Sequence, residues 1–298
     1  MKKGRQAETD GIALEILKHR EEYTMEHTTL GIIGYGKMSA AILAGAQKRQ
    51  LLENAHLFLY TPSAASRERA SQELPGVQIC ESAQTVCAHS PSILLGVKPQ
   101  IMPVVLEELR EDLQDHLLIS IAAGLTIASI QQSLPPSARV FRCMPNLAAQ
   151  CGESATLLCL ESAANPAEKD FVCRLFGAAG DVFWVREGQM DAASAVAGSG
   201  PAFAALFVEA LADAGVAEGL PRGLAVRLAA QMAKGSAVWL QSQGEISPAL
   251  LKDAVCSPGG TSIEGVMALE QAGFRHAVMD AVRKTSQKCK DIANQSSK

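Results

Sequence analysis

Aromatic side chains are scarce in this chain, at 4% of its 298 residues. With hydrophobic residues at 48%, the core must be built largely from aliphatic and small side chains, and alanine-rich helix faces can approach one another closely. A basic run is also missing. The net charge is −4 and the pI about 5.9, so nucleic acid is not an expected partner. The eight cysteines (Cys80, Cys87, Cys143, Cys151, Cys159, Cys173, Cys256 and Cys289) form no Cys-x-x-Cys pair. No cysteine–histidine cluster has zinc spacing, so no metal is expected. Several cysteines sit inside apolar runs, as buried free thiols do, and the chain reads as a reduced, cytoplasmic protein. No apolar run approaches the roughly 20 residues of a membrane span, and the first residues lack a signal peptide's apolar core, so no membrane partner is expected. Residues 1–27 are polar and charged and are expected to be a flexible extension.

What is present is alternation. Short apolar runs at Leu30–Gly34, His56–Tyr60, Val77–Cys80, Ser92–Val97, Leu117–Ile121, Arg139–Cys143, Ala155–Leu160 and Asp181–Val185 read as strands. Helical patterns separate most of them, at Met38–Arg49, Ala64–Leu74, Met102–Leu109, Ile127–Ser133 and Ala167–Ala178. Such alternation predicts a mainly parallel sheet with helices on both faces. After Glu187 the strand-like runs stop. Phe203, Leu206, Phe207, Ala210, Leu211 and Ala214 make one helical stripe, and Leu224, Leu228, Met232, Gly235 and Trp239 make another. Gly219 and Pro221 separate them, and two more helices are predicted at Thr261–Gln271 and Phe274–Ala293. The chain thus divides into residues 1–27, an α/β domain over 28–186 and an all-α domain over 187–298. The wide apolar faces of the last are expected to meet a second subunit, the alternative being the sheet domain of the same chain.

The first strand ends in Gly34-Tyr35-Gly36-Lys37-Met38-Ser39, a GxGxxS sequence one residue away from the dinucleotide fingerprint. Gly34 permits a tight turn, Gly36 lets a pyrophosphate reach the backbone, and Ser39 is small enough for close helix–strand packing. An α/β Rossmann-type dinucleotide-binding domain is therefore expected. The second strand ends without the acidic residue that usually holds the ribose of NAD. Thr61 and Ser63 stand there instead and can donate hydrogen bonds to a 2′-phosphate. Arg67 or Arg69 either adds charge or lines a solvated helix face. NADPH is expected over NADH, with NADH still usable. Lys98 follows the fourth strand, at the ligand-facing edge of such a sheet. None of the six histidines falls in a motif-like loop. A substrate carrying a C=N bond needs less acid–base help than an alcohol, because a protonated imine accepts hydride directly.

A second motif lies far downstream. Cys256-Ser257-Pro258-Gly259-Gly260-Thr261-Ser262-Ile263-Glu264 reads as a tight loop feeding a helix. Thr261 and Glu264 fit a capping box. Free N–H groups and the positive end of a helix dipole then suit a small anion such as a carboxylate.

With these motifs in place, the chain resembles the pyrroline-5-carboxylate reductase family. Gly31–Met38, Gly96–Pro99, Ile121–Gly124, Arg142-Cys143-Met144-Pro145-Asn146, Gly198–Ala202 and Lys252–Ile263 occur in the family's order, over roughly residues 28–290. The resemblance implies reduction of 1-pyrroline-5-carboxylate to L-proline with NAD(P)H, the last step of proline synthesis. It also implies a helical domain that builds a homodimer, with dimers often forming rings. It places the cofactor on Gly34, Tyr35, Gly36, Lys37, Met38, Thr61, Ser63, Val97, Lys98, Pro99, Ala122 and Ala123. The substrate falls to Ser257, Gly260, Thr261 and Ser262, with Glu187 and Glu245 matching acidic positions near it, and Ser262 or Thr261 bonds the ring nitrogen. Three positions depart from the family pattern. Ser262 stands where threonine is usual, Leu147-Ala148 where Thr-Pro is usual, and Ala254 where some members have asparagine. These leave open a related NADP-dependent reductase of another cyclic imine or of a hydroxy acid, or a non-catalytic dinucleotide-binding paralogue.

Overall fold

The computed structural model describes residues 29–160, 164–243 and 247–296. The expectations for residues 1–27 and for Glu245 lie outside the described residues. The described residues form two compact units, one running up to Gly198 and including the end of the chain from Cys289 to Ser296, the other Ser199–Lys288.

Among the described residues, the first unit is built on eight strands: β1 (Thr29–Ile33), β2 (His56–Tyr60), β3 (Gln78–Ile79), β4 (Ser92–Leu95), β5 (Leu117–Ser120), β6 (Arg139–Met144), β7 (Ser154–Leu160) and β8 (Gly180–Trp184). They lie in the order β3-β2-β1-β4-β5-β6-β7-β8. The pairs from β3 through β6 are parallel, which gives the doubly wound order 3-2-1-4-5-6 of dinucleotide-binding folds. The chain then reverses, because β6 and β7 are joined by a short 3-10 turn, Leu147–Cys151, with no crossover helix to bring the chain back. A helix, α6 (Pro166–Gly177), connects β7 to β8, so that pair is parallel again.

The other connections are α1 (Lys37–Lys48), α2 (Ala64–Glu73), α3 (Ala83–His89), α4 (Met102–Glu108) and α5 (Ile127–Gln131). Of these, α3 is not legible in the sequence. It is only seven residues long, too short for a legible stripe, and its one local signal is Ser82, whose hydroxyl accepts from the Thr85 N–H. Successive strand residues enter opposite layers. Ile32, Leu94, Ile119, Phe141 and Leu158 join one core with Ile42, Leu43 and Phe176 from α1 and α6. Ile33, Ile93, Leu95, Leu118 and Val140 join the other with Val86, Met102, Leu106 and Ile130 from α3, α4 and α5. Both faces of the sheet are therefore covered.

Helix α7 (Met190–Ala197) follows β8 and buries Met190, Ser194 and Ala195. Composition changes at Glu187, but this helix still packs with the sheet unit, so the compact division falls at Gly198.

The second unit consists of α8 (Gly200–Ala217), α9 (Arg222–Ser242), α10 (Pro248–Val255), α11 (Thr261–Gln271) and most of α12 (Phe274–Ser296). Gly219, at φ 93°, closes α8, and the Leu220 N–H returns to the Gly215 carbonyl. Helices α8 and α9 pack through small residues. Ala212, Ala225 and Ala229 are buried, and a Cβ on Gly215 would lie 3.3 Å from Leu220 and 3.4 Å from Ala225. The ion pair of Asp213 with Arg222 and the tilted contact of Phe207 with Phe274 add to this unit.

Glu187–Ala217, 31 residues long, holds an 18-residue window of mean hydropathy 1.5, long and apolar enough to cross a membrane by length and composition alone. In the sequence Gly198-Ser199-Gly200-Pro201 interrupts it, so no continuous apolar run is legible there. The same residues divide the stretch into α7 and α8.

Candidate active site

Because β1, β2, β4 and β5 are parallel, the segments Gly34–Met38, Thr61–Ser63, Val97–Pro99 and Ala122–Ala123 all leave the same edge of the sheet. Backbone hydrogen bonds continue the ladder past the strand ends. The Gly34 N–H donates to Tyr60 O at 2.9 Å, Gly96 to Ile33 O at 2.8 Å and Ile121 to Leu95 O at 3.3 Å.

The glycine turn is tightly determined. Gly34 has φ 93°, and a Cβ there would lie 2.8 Å from the backbone of Gly96. Ser39, buried at the first turn of α1, donates its hydroxyl to Gly34 O at 3.0 Å. That hydroxyl would be only 2.0 Å from a Cβ on Gly96, so a small third residue and a glycine across from it depend on each other. Gly36 is different. It is exposed, has no atom within 4 Å of where a Cβ would stand, and is the N-cap of α1 without a side-chain cap. The first N–H groups of α1 therefore have no side-chain cap, and the cap residue itself is open to a ligand. This fits a dinucleotide pyrophosphate.

Tyr35 turns away from that space. It is 2% exposed, its hydroxyl donates to Glu73 at 2.7 Å, and Arg69 lies over its ring and donates to its carbonyl at 2.6 Å. Burial and the Glu73 carboxylate push the Tyr35 phenol well above its ordinary range. Only its backbone remains for a ligand. Arg69 is thereby drawn away from the end of β2. Arg67 stays there, donating to the Thr61 and Pro62 carbonyls at 2.9 and 3.0 Å. Thr61 is buried, and Ser63 caps α2 by accepting from the Ser66 N–H. Lys37 and Lys98 are exposed, and Met38, Val97 and Pro99 are half-buried.

On the other side of β1, the Ala122–Thr126 turn carries Gly124 at φ 78° and ends in α5. Glu187 reaches it. Its Oε1 accepts from the Ile127 N–H at 3.0 Å and from Arg142 Nη1 at 2.9 Å. Arg142 was legible in the sequence only as part of a motif. The signal that marks it is a guanidinium in the middle of the strand, between the apolar Phe141 and Cys143. Asn146 does comparable work at the end of β6. Its amide donates to Ala197 O at 2.9 Å and accepts from the Ala148 N–H at 3.0 Å. Leu147, next to it, is exposed.

The anion loop lies in the second unit. Gly259 takes φ 65°, and the Gly260 N–H donates to Ser257 O at 3.0 Å. The expected capping box does not form. Gly260 is the N-cap of α11, Thr261 is its first helical residue, and no side chain caps the helix. A Cβ on Gly260 would lie 2.4 Å from Ser257 Oγ and 3.1 Å from the Ser257 carbonyl oxygen, so a larger cap residue would displace the serine hydroxyl. The outcome still favours an anion, since the N–H groups of Thr261, Ser262 and Ile263 have no carbonyl in their own helix. Ser257 and Thr261 are exposed, and Gly260 and Ser262 half-buried. Lys252 and Asp253 pair with each other at 2.9 Å, and Asp253 raises the Lys252 pKa.

Two family models match the chain. Residues 29–124 match "NADP oxidoreductase coenzyme F420-dependent" and residues 187–292 match "Pyrroline-5-carboxylate reductase dimerisation". The chain is 38% identical to pyrroline-5-carboxylate reductase 3 of Danio rerio, over 90% of this chain and 93% of that one. It is 37% identical to pyrroline-5-carboxylate reductase of Escherichia coli (strain K12), over 89% and 98%. The chain belongs to the pyrroline-5-carboxylate reductase family. Among solved structures, the Plasmodium falciparum pyrroline carboxylate reductase with NADP bound aligns at a TM-score of 0.78 and 32% identity, covering 90% of this chain and 99% of that one. The Rossmann-type domain followed by a helical dimerisation domain is thus the fold of pyrroline-5-carboxylate reductases, and the chain is an oxidoreductase by family.

Proposed function

We propose that this chain reduces 1-pyrroline-5-carboxylate to L-proline with NADPH, the last step of proline biosynthesis, and that it acts as a cytoplasmic homodimer. The observation that carries the reading is the uncapped start of α11, which suits an anion such as a carboxylate, in a chain whose parallel sheet also presents the Gly34–Met38 turn. NADPH, when bound, supplies a hydride to the carbon of the substrate's C=N bond. The ring nitrogen carries a proton beforehand and keeps it, so the product is a secondary amine.

The residues have separate tasks. Gly34–Met38 receive the pyrophosphate on backbone N–H groups. Thr61, Ser63 and Arg67 meet the 2′-phosphate, which is why NADPH is preferred to NADH. Val97–Pro99 and Ala122–Ala123 support the nicotinamide half. Ser257, Gly260 and the free N–H groups of Thr261 and Ser262 hold the carboxylate. The Ser262 hydroxyl, or that of Thr261, bonds the nitrogen and fixes the ring's orientation. Rate enhancement comes mainly from proximity and orientation, which supply on the order of 7–11 kcal/mol in well-oriented systems.

NADPH consumption measured with pyrroline-5-carboxylate, piperideine-carboxylate and hydroxy acids tests the reading. Turnover of pyrroline-5-carboxylate is expected. Turnover of only the other substrates, or NADPH binding without any turnover, overturns it. Ser262→Ala should lower kcat/KM about tenfold, the worth of one good hydrogen bond. An unchanged rate would transfer the role to Thr261.

A further inference from the structure

Arg142 is buried at 5% exposure in β6, between Phe141 at 0% and Cys143 at 1%. A buried charge is costly unless it is paired. Its Nη1 donates to Glu187 Oε1 at 2.9 Å, and its Nη2 lies 3.7 Å from Asp191 Oδ1. Cys289 also lies close enough for its thiol to feel both Arg142 and Asp191, and burial there raises its pKa. Among the described residues, Glu187 Oε2 is buried with no hydrogen-bond partner. Two carboxylates thus share one guanidinium while an acceptor is left unpaired. A buried pair of this kind contributes little to stability compared with apolar side chains of the same size. What it does fix is position.

The geometry shows which position. Arg142 lies directly opposite Ser120 in the β5–β6 register, at the last residue of β5 before the Ala122–Thr126 turn. The same Glu187 oxygen that takes the guanidinium takes the Ile127 N–H, where that turn enters α5. The turn is therefore tied at one end to β5 and at the other, through Glu187, to the neighbouring β6. In the strand order, β2 and β3 lie on one side of the Gly34 turn and β4 and β5 on the other. The adenosine half of a dinucleotide goes to the first side and the nicotinamide half to the second.

We propose that Arg142 is a positioning residue, which through Glu187 sets the Ala122–Thr126 turn against the nicotinamide half of the cofactor. The proposal rests on the reading of that turn as a cofactor contact. Arg142→Met removes the charge, Arg142→Lys keeps the charge without the fork, and Glu187→Gln keeps an oxygen acceptor without the charge. Binding is titrated by fluorescence with two probes, NADPH and 2′-phospho-ADP-ribose, which lacks nicotinamide. The variants should weaken NADPH about tenfold, with Arg142→Lys recovering part of the loss, and leave the fragment within about twofold. Parallel weakening of both probes, or of neither, overturns the proposal. If Arg142→Met does not fold, Glu187→Gln gives the same contrast. A wild-type chain that bound NADPH but failed to reduce pyrroline-5-carboxylate would overturn the proposed function alone, since the binding contrast needs no turnover.

Discussion

Two glycines at the cofactor edge serve opposite ends. Gly96 is held by sterics, since its Cβ would stand 2.0 Å from Ser39 Oγ and 2.5 Å from Gly34 O. Gly36 is free, with nothing within 4 Å. Gly96→Ala should therefore destabilise the chain by about 1–3 kcal/mol, as overpacking does, measured by urea unfolding. Gly36→Ala should cost under about 1 kcal/mol, the difference between glycine and alanine at an N-cap, yet raise the NADPH KM at least about tenfold by placing a methyl group where the pyrophosphate approaches. Equal loss of stability in both variants would refute this division of labour. The sequence made Gly34, Gly36 and Ser39 legible because their spacing is itself the signal. It hid Tyr35's orientation, because an aromatic between two glycines says nothing of Glu73 and Arg69, which come to it from α2. Arg142 was hidden for a related reason. Its partners Glu187 and Asp191 are distant in sequence, and only the folded sheet brings them to β6.

Among the elements, strands were more legible than helix starts. The eight expected strands appear within a residue or two, because each is an apolar run bounded by turn residues. The reversal at β7 was not readable, since it depends on the length of the connection and on the 3-10 turn that fills it. The start of α11 shows the limit of motif logic. A threonine followed three residues later by glutamate resembles a capping box, but the turn in which Gly260 bonds back to Ser257 puts the N-cap one residue earlier. A mutation separates the two cases. A capping threonine replaced by alanine costs about 0.5–2 kcal/mol. Thr261 is the first helical residue, where alanine is a good substitute, so Thr261→Ala should change stability by less than about 0.5 kcal/mol in thermal unfolding. A loss of 1 kcal/mol or more would restore the capping box.

At the scale of the whole molecule, the helical unit does not cover its own apolar surface. The stripe legible in the sequence, Leu224, Leu228 and Met232, is exposed at 37%, 52% and 44%. The buried face of α9 is the adjacent one, Ala225 and Ala229, which packs with α8. Leu206 and Val238 are exposed as well. The sequence thus revealed that α9 has an apolar face but not which partner each part of it meets, because alanine contributes weakly to a hydrophobic pattern and yet permits the closest helix contact. Contiguous exposed apolar side chains mark an interface, and this surface lies within residues 187–292, the segment that matches the family's dimerisation model. Covering each large side chain is worth about 1.5–3 kcal/mol. The wild-type chain should therefore sediment at twice its 31.5 kDa mass. Leu228→Glu combined with Met232→Glu should yield a monomer with its helix content intact by circular dichroism, because neither residue belongs to the buried α8–α9 seam. A wild-type monomer, or a double variant that still sediments as a dimer, would place the subunit contact elsewhere.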